Sequence, residues 1–289
     1  HLLNLIASDS RLKSIPYWES LRPFPENLTS SNLDQDLRQE IAFKEYENFL
    51  QTMPLLKSMH DMHPNHIHEE IELQAMDFST YLPEWLAYVP EWRDYYLKND
   101  QINHYKYLKE ILKVMQFIKG PKKWVLKSPQ HLEQINPLIK TFPDATFVIT
   151  YRDPLSVVLS TATMLSYGDR VRRYKVEPKI NFNYWRNRIK ILLQRFTENY
   201  ESIPLGQRCD IFFHDLIKDN LGSVKNIYSK NSLEFNNLAN DEIQEYIDLN
   251  KRGKHGQIIY DLDDYEVNQS DFYKSFEFYF KKFNVFKEL

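Results

Sequence analysis

The chain has very little cysteine, no long apolar segment and almost no net charge. Cys209 is the one cysteine among 289 residues, so an internal disulfide is excluded and a reducing compartment suits the protein. No apolar run reaches the roughly 20 residues that a membrane-spanning helix needs. The formal net charge is −3, which provides no overall basic field for nucleic acid. We therefore expect a cytoplasmic protein with no nucleic-acid partner and no membrane span.

Glycine is also scarce, with six residues in the chain, and the first of them is Gly120. The sequence contains neither the GxxxxGK[ST] loop of many nucleotide-binding proteins nor the GxGxxG loop of dinucleotide-binding proteins. Both absences argue against a kinase or a dehydrogenase that depends on such a loop. The chain is otherwise composed like a folded protein, with 42% hydrophobic and 27% charged residues.

Segments typical of strands and helices alternate along the chain. Short apolar runs predict strands at 122–128, 145–151 and 208–215. Apolar residues at helical spacing predict helices at 33–53, from about Asn65 toward 79, at 102–120 and 129–140, from Pro154, at 182–200, from about Asp215, at 241–249 and at 271–283. This alternation predicts a single α/β domain over residues 1–289, in three layers, with a central parallel sheet flanked by helices.

Charged and polar side chains follow two of the predicted strands. Lys127 ends the first, whereas Arg152 and Asp153 follow the second and Ser160 lies two turns into the next helix. Ligands of open α/β sheets bind beyond the carboxyl ends of the strands. The guanidinium of Arg152 and the hydroxyl of Ser160 suit one phosphate. The alternative is a salt bridge of Arg152 at the strand end, with Asp153 capping the helix.

A third basic element is "KRGKHG" at 251–256. Two of the six glycines lie here beside three cationic residues, so the backbone can form a tight turn that approaches an anion closely. The alternative interpretation is a solvated basic turn.

Together these elements resemble a known family. "WVLKSPQHL" (124–132), "FPDATFVITYRDPLSVVLS" (142–160) and "KRGKHGQIIYDLDDYEV" (251–267) resemble the sulfotransferases, in the bacterial-type branch with LKSPxHL and RDP motifs. The resemblance covers most of residues 1–285. It implies a P-loop-kinase-like sulfotransferase fold. It also implies transfer of a sulfuryl group from 3′-phosphoadenosine 5′-phosphosulfate (PAPS) to an acceptor hydroxyl or amine, with adenosine 3′,5′-bisphosphate (PAP) as product and no metal.

The resemblance also implies roles for individual residues. Arg152 and Ser160 correspond to the residues that hold the 3′-phosphate in the family. Lys127 corresponds to the lysine near the sulfuryl group and the bridging oxygen. The late turn that closes over the nucleotide corresponds to Arg252, Gly253 and Lys254.

One family element has no counterpart in the sequence. The phosphosulfate loop of the family is a Gly-Ser/Thr-rich turn just before a helix that "HLLNLIASDSRL" (1–12) resembles. We expect this loop to lie upstream of His1. The alternative is a non-catalytic nucleotide-binding relative that lacks the loop.

Two residues are candidates for the base that takes the acceptor's proton. Glu19 resembles a glutamate that follows the first helix in several branches of the family, and its alternative role is a surface carboxylate paired with Arg22. His131 lies four residues after Lys127, whereas the cytosolic branch has its histidine two residues after the lysine. His131 is otherwise a residue of a first helical turn, and we place Glu19 first.

Four histidines between positions 60 and 68 suggest a zinc site, and hence a histidine-metal hydrolase as a further alternative. Pro64 interrupts the segment and no cysteine lies nearby to complete a structural site, so we expect no metal. We expect "HIHEEIELQAMDF" (66–78) to line the acceptor pocket instead, with His68, Glu69 and Glu70 on the acceptor side. The resemblance implies a small-molecule, lipid or carbohydrate acceptor.

Overall fold

The computed structural model describes residues 1–25, 36–251, 253, 254, 256, 258, 260 and 262–289. The start of the predicted helix 33–53 and the predicted nucleotide-binding residue Arg252 lie outside the described residues. In chain order the helices are α1 (Leu2–Ala7), α2 (Tyr17–Leu21), α3 (Leu37–Thr52), α4 (Leu56–Met59), α5 (Ile71–Ala75), α6 (Leu82–Leu86), α7 (Pro90–Lys98), α8 (Ile102–Lys119), α9 (Ile135–Thr141), α10 (Pro154–Asp169), α11 (Pro178–Asn199), α12 (Phe213–Lys218), α13 (Asn220–Lys230), α14 (Asn237–Leu249), α15 (Gln269–Ser275) and α16 (Glu277–Phe283). The strands are β1 (Leu12–Lys13), β2 (Lys123–Trp124), β3 (Phe147–Tyr151) and β4 (Arg208–Phe212).

The chain divides into two compact units, each built from two separate stretches of sequence. Unit 1 comprises His1–Pro129 and Leu238–His255, and unit 2 comprises Gln130–Asn237 and Gly256–Leu289. Because each unit combines distant parts of the chain, neither corresponds to one continuous half of the sequence. The expectation of a single domain over residues 1–289 stays a prediction.

Unit 1 is organised around the parallel pair β1 and β2 and the buried face of α8. Leu12 pairs with Lys123, and the N–H of Val125 donates to the carbonyl of Lys13 at 2.8 Å. Helix α8 begins and ends close to where its pattern predicts, because buried residues recur at helical spacing and Gly120, at φ +85°, ends the helix. The strand predicted at 122–128 is limited to β2, since the N–H of Lys127 binds a glutamate side chain instead of a neighbouring strand.

Unit 2 contains the parallel pair β3 and β4, in register from Phe147 opposite Arg208 to Tyr151 opposite Phe212. The ring of Tyr151 lies 5.0 Å from that of Phe212 and 5.0 Å from that of Phe283, within an aromatic core. The predicted parallel pairing is present in both units. Across the described ranges, however, the strands form two short two-stranded sheets, so the sheet is smaller than predicted.

Three predicted helices differ from the structure. Residues 66–68 are extended, not helical from Asn65, because the N–H of His68 donates to the carbonyl of Ile15 and that of Tyr17 to the carbonyl of His66. The helix predicted over 129–140 is a 3-10 turn at Pro129–Glu133 followed by α9. Proline lacks an N–H and is tolerated only in the first turn of a helix. Pro137 lies in the first turn of α9, which begins at Ile135. The helix predicted over 271–283 breaks at the buried Phe276.

Among the helices that the described residues form, none is both long enough and apolar enough to cross a membrane.

Candidate functional site

In unit 1, the loop after β2 brings Lys127 to two consecutive glutamates. The N–H of Lys127 donates to Oε2 of Glu70 at 2.9 Å, and the ammonium of Lys127 forms an ion pair with Oε1 of Glu69. Glu70 is fully buried, so its carboxylate fixes the backbone of the loop, while half of the Lys127 side chain stays exposed. The structure therefore places the predicted sulfuryl-side lysine against two of the predicted acceptor-side residues.

His68 precedes these glutamates on an extended segment. A bridge between Pro16 and Ile67 aligns this segment with the residues before α2, and it buries His68 to 8% exposure. The Nε2 atom of His68 lies 2.9 Å from Oε1 of Glu72, and its ring centroid lies 4.6 Å from that of Tyr17. Burial, and next the negative charge of Glu72, raise the pKa of Tyr17 to about 12.

Two further histidines pack near His68. The ring of His60 lies 5.8 Å from that of His68 and 6.5 Å from that of His66. Burial lowers the pKa of His60 to about 3, with the charges of His68 and Lys127 as smaller causes. Burial also lowers the pKa of His66 to about 4, although Asp61 acts in the opposite direction. Both imidazoles are therefore neutral at pH 7.

These histidines do not form a metal centre in the part of the chain that is described. No three side chains of histidine, cysteine, aspartate or glutamate come together there in a way that could hold a metal ion.

Glu19 lies on α2 and is almost fully buried, at 2% exposure. Its Oε1 atom is 2.6 Å from the ammonium of Lys119 on α8, an ion pair without well-oriented hydrogen-bond geometry. Arg22, the partner that the sequence suggested for Glu19, pairs with Glu45 at 2.7 Å instead. Among the described residues, the ion pair of Glu19 is with Lys119 and that of Lys127 is with Glu69, so the role of Glu19 as a base stays a prediction.

In unit 2, Arg152 follows directly on β3, and its guanidinium contacts both a carboxylate and an aromatic ring. Its guanidinium donates to the carboxylate of Glu288 from Nε to Oε1 at 2.9 Å and from Nη2 to Oε2 at 3.0 Å, with a longer bond of 3.3 Å from Nε to Oε2. The guanidinium carbon also lies 4.1 Å from the ring centroid of Phe213. Sequence reasoning named a salt bridge as the alternative role of Arg152, and the structure contains one, with a partner far along the chain.

Asp153 caps α10, as the same alternative interpretation required. Its Oδ1 atom accepts a hydrogen bond of 2.9 Å from the N–H of Leu155, and Pro154 occupies the first helical position. Ser160 follows two turns along α10 and is half-buried. The cap fixes the direction of α10 relative to β3, so Arg152 and Ser160 belong to one strand–turn–helix element.

The remaining candidates lie on short turns. His131 is half-buried in the 3-10 turn of unit 2, where its carbonyl accepts a hydrogen bond of 3.0 Å from the N–H of Gln134. Gly253 has φ +81°, and the N–H of Lys254 donates to the carbonyl of Lys251 at 3.1 Å. The tight turn expected from the glycines is thus present at Gly253.

Sequence reasoning missed two carboxylates that the structure places in contact with the candidate residues. Glu72 lies four residues after His68, a spacing that indicates contact only where the backbone turns, and the prediction assigned it no role. Glu288 lies 136 residues from Arg152, so no local pattern could indicate the pair.

Arg152 in unit 2 and Lys127 in unit 1 each follow a parallel strand, a position at which cationic side chains commonly meet anionic groups. The family model described as "Sulfotransferase family" matches residues 1–237. The chain belongs to the sulfotransferase family.

Two solved structures show the same fold. Sulfotransferase STF9 from Mycobacterium avium matches with a TM-score of 0.84 and 19% identity, over 99% of this chain and 74% of that chain. Sulfotransferase STF1 from Mycobacterium tuberculosis H37Rv matches with a TM-score of 0.79 and 22% identity, over 95% of this chain and 72% of that chain. No curated protein matches the chain. The predicted sulfotransferase fold is confirmed, and family and fold together support a sulfotransferase activity.

Proposed function

We propose that the protein transfers a sulfuryl group from PAPS to an acceptor hydroxyl or amine. Family membership supports this function, since PAPS is the general donor of the family. The observation that carries the proposal is the guanidinium of Arg152, which follows β3 and binds both oxygens of a carboxylate. A phosphate presents the same pair of acceptor oxygens to an arginine.

The residues present fit the groups of the donor. In this proposal Arg152 and the hydroxyl of Ser160 bind the 3′-phosphate, and Arg252, Gly253 and Lys254 contribute to binding of the nucleotide. Lys127, whose side chain is half exposed, supplies positive charge at the sulfuryl group and the leaving oxygen. No metal is needed where lysine and backbone N–H groups supply this charge.

The segment that starts at His68 faces the acceptor in this proposal. Glu69 and Glu70 already contact Lys127, so an acceptor bound beside them lies next to the sulfuryl end of the donor. Sulfuryl transfer, like phosphoryl transfer, depends on in-line positioning of the two reactants. A small alcohol, lipid, sugar or amine meets this requirement.

Calorimetric titration of the full-length protein with PAP tests the proposal. We expect micromolar binding, and a loss of roughly 100-fold in Arg152→Ala, because two charge-assisted hydrogen bonds to the phosphate disappear. Arg208→Ala is the matched control, since Arg208 also pairs with a glutamate, at 3.2 Å, and lies 4.4 Å from the ring centroid of Tyr200.

Binding that is equally strong in Arg152→Ala would remove Arg152 from the phosphate site. A folded wild-type protein that does not bind PAP would overturn the proposed donor. Binding of PAP without turnover of PAPS would identify a non-catalytic relative.

A further inference from the structure

The most specific unexplained arrangement in unit 1 is the pair of His68 and Glu72. The Nε2 atom of His68 lies 2.9 Å from Oε1 of Glu72, and both side chains are largely buried, at 7% and 12% exposure. The second oxygen of Glu72 is buried and has no hydrogen-bond partner in the described part of the chain. The carboxylate is therefore directed at His68 alone.

This contact determines which nitrogen of His68 can accept a proton. An ionised carboxylate only accepts hydrogen bonds, so Nε2 carries the hydrogen and Nδ1 keeps its lone pair. No residue of the described ranges hydrogen-bonds Nδ1. An imidazole whose one nitrogen donates to a carboxylate, with a lone pair on the other, is the arrangement of a histidine base with its orienting group.

The chain places this imidazole beside the reacting end of the proposed site. Glu69 and Glu70, the two residues that follow His68, bind the ammonium and the N–H of Lys127. The charge of Lys127 also acts on the imidazole of His60, whose ring lies 5.8 Å from that of His68. His68 is therefore on the short segment that contacts the lysine assigned to the sulfuryl group.

The other base candidate of unit 1 has a different environment. The carboxylate of Glu19 is buried and already paired with Lys119 on α8, so a base role requires this pair to open first. The geometry of unit 1 thus favours His68.

We propose that His68 is the general base of the acceptor, with Glu72 as its positioning residue; this rests on the proposed sulfuryl transfer. The acceptor hydroxyl gives its proton to Nδ1 of His68 as its oxygen forms the new bond to sulfur. The bond from sulfur to the bridging oxygen breaks, and its electron pair leaves with that oxygen on PAP. Lys127 stabilises the charge on the leaving oxygen, and Glu72 stabilises the imidazolium.

The test compares His68→Gln and Glu72→Gln with the wild-type full-length protein, by PAP calorimetry and by PAP release from PAPS. The acceptor probes are 4-nitrophenol, octyl glucoside and phenethylamine. In His68→Gln we expect unchanged PAP affinity and a fall in kcat of roughly 100-fold or more. His104→Asn is the matched control, because His104 also pairs with a carboxylate, Asp77, at 2.6 Å. It should keep wild-type turnover.

Two further readouts separate a base from a residue with a structural role. Imidazole in the buffer should restore part of the turnover of His68→Ala. In Glu72→Gln we expect kcat to fall while KM and PAP affinity stay at the wild-type values, because Glu72 orients the imidazole of His68 and contacts neither reactant. The titratable groups that face His68 are Tyr17, His60, His66 and Glu72, with Glu69 and Lys127 beyond them.

Three results would overturn the assignment. In one, His68→Gln keeps wild-type turnover. In another, Glu19→Gln or His131→Asn abolishes turnover while His68→Gln retains it. In the third, the wild type binds PAP but releases none from PAPS with any probe, so that nucleotide binding stands and the base does not. Absence of PAP binding by the wild type would instead be a failure of the proposed donor.

Discussion

At the level of single residues, the ion pair of Arg152 with Glu288 affects how strongly Arg152 could bind a phosphate. The guanidinium proposed to hold a phosphate is bound to the carboxylate of Glu288, with exposed side-chain fractions of 35% and 24%. Because both groups are partly in water, the pair contributes at most about 1 kcal/mol. A phosphate bound to Arg152 as proposed would therefore displace Glu288 at a modest cost, and the carboxylate would compete with it for the same hydrogen bonds.

We expect Glu288→Gln to bind PAP more tightly than the wild type, with a Kd lower by about threefold to tenfold, because the competing charge is removed. Calorimetry with PAP measures the difference. Glu277→Gln is the control, since Glu277 forms an exposed pair with Lys281 at 2.9 Å on α16. An equal or higher Kd in Glu288→Gln would show that Glu288 does not compete with the phosphate for the guanidinium of Arg152.

At the scale of the element, the 3-10 turn that carries His131 is joined to α11 by a buried ion pair. The guanidinium of Arg188 donates to both oxygens of Glu133, at 2.7 and 2.6 Å, and neither side chain is exposed. Such a pair is weak evidence for net stabilisation, because burying two charges is costly. Removal of one member is nevertheless strongly destabilising, because it removes the opposite charge from a buried ion.

Glu133→Gln should therefore lower the free energy of unfolding by about 3 kcal/mol. Urea unfolding followed by circular dichroism measures this change. Glu201→Gln provides the comparison, because the carboxylate of Glu201 is 68% exposed in its pair with Arg208, and we expect a change below about 0.5 kcal/mol. Similar losses in the two variants would mean that the buried pair does not anchor the turn.

At the scale of the whole molecule, sequence alone predicted the features that depend on neighbouring residues. Gly120 ends α8 and Asp153 caps α10 through bonds that span only a few positions, so both ends were predictable. The extended backbone at 66–68 was not, because its hydrogen bonds go to residues about fifty positions earlier in the chain. The pair of Arg152 and Glu288 escaped prediction for the same reason.

The candidate site likewise contains residues with local sequence signatures and residues whose arrangement depends on distant contacts. Lys127, Arg152 and Ser160 could be named as candidates because strand ends and helix starts have local signatures, and the roles that the family resemblance implies for them stay predictions. The orientation of His68 depends on Glu72 and on the bridge between Pro16 and Ile67, which no periodic pattern encodes. The residues proposed to bind the anion therefore have local sequence signatures, whereas the arrangement proposed to move a proton has none.

Two buried histidines near His68, namely His60 and His66, make the stability of unit 1 depend on pH. His60 and His66 have pKa values of about 3 and about 4 in the folded chain, chiefly through burial, against about 6.5 in an unfolded chain. Both contributions are fully present above pH 6.5. Below that pH the unfolded chain binds protons that the folded chain does not, so the free energy of unfolding falls as the pH falls toward 4.

Between pH 7 and pH 5 we expect the wild type to lose on the order of 2 kcal/mol of unfolding free energy for each of the two histidines. Urea unfolding at both pH values measures the loss. The double variant His60→Gln, His66→Gln should lose less over the same interval, because its side chains at these positions do not titrate. His214→Gln, at an exposed position in unit 2, should lose as much as the wild type. Equal pH dependence in the wild type and the double variant would show that these two imidazoles are protonated as easily in the folded chain as in the unfolded one.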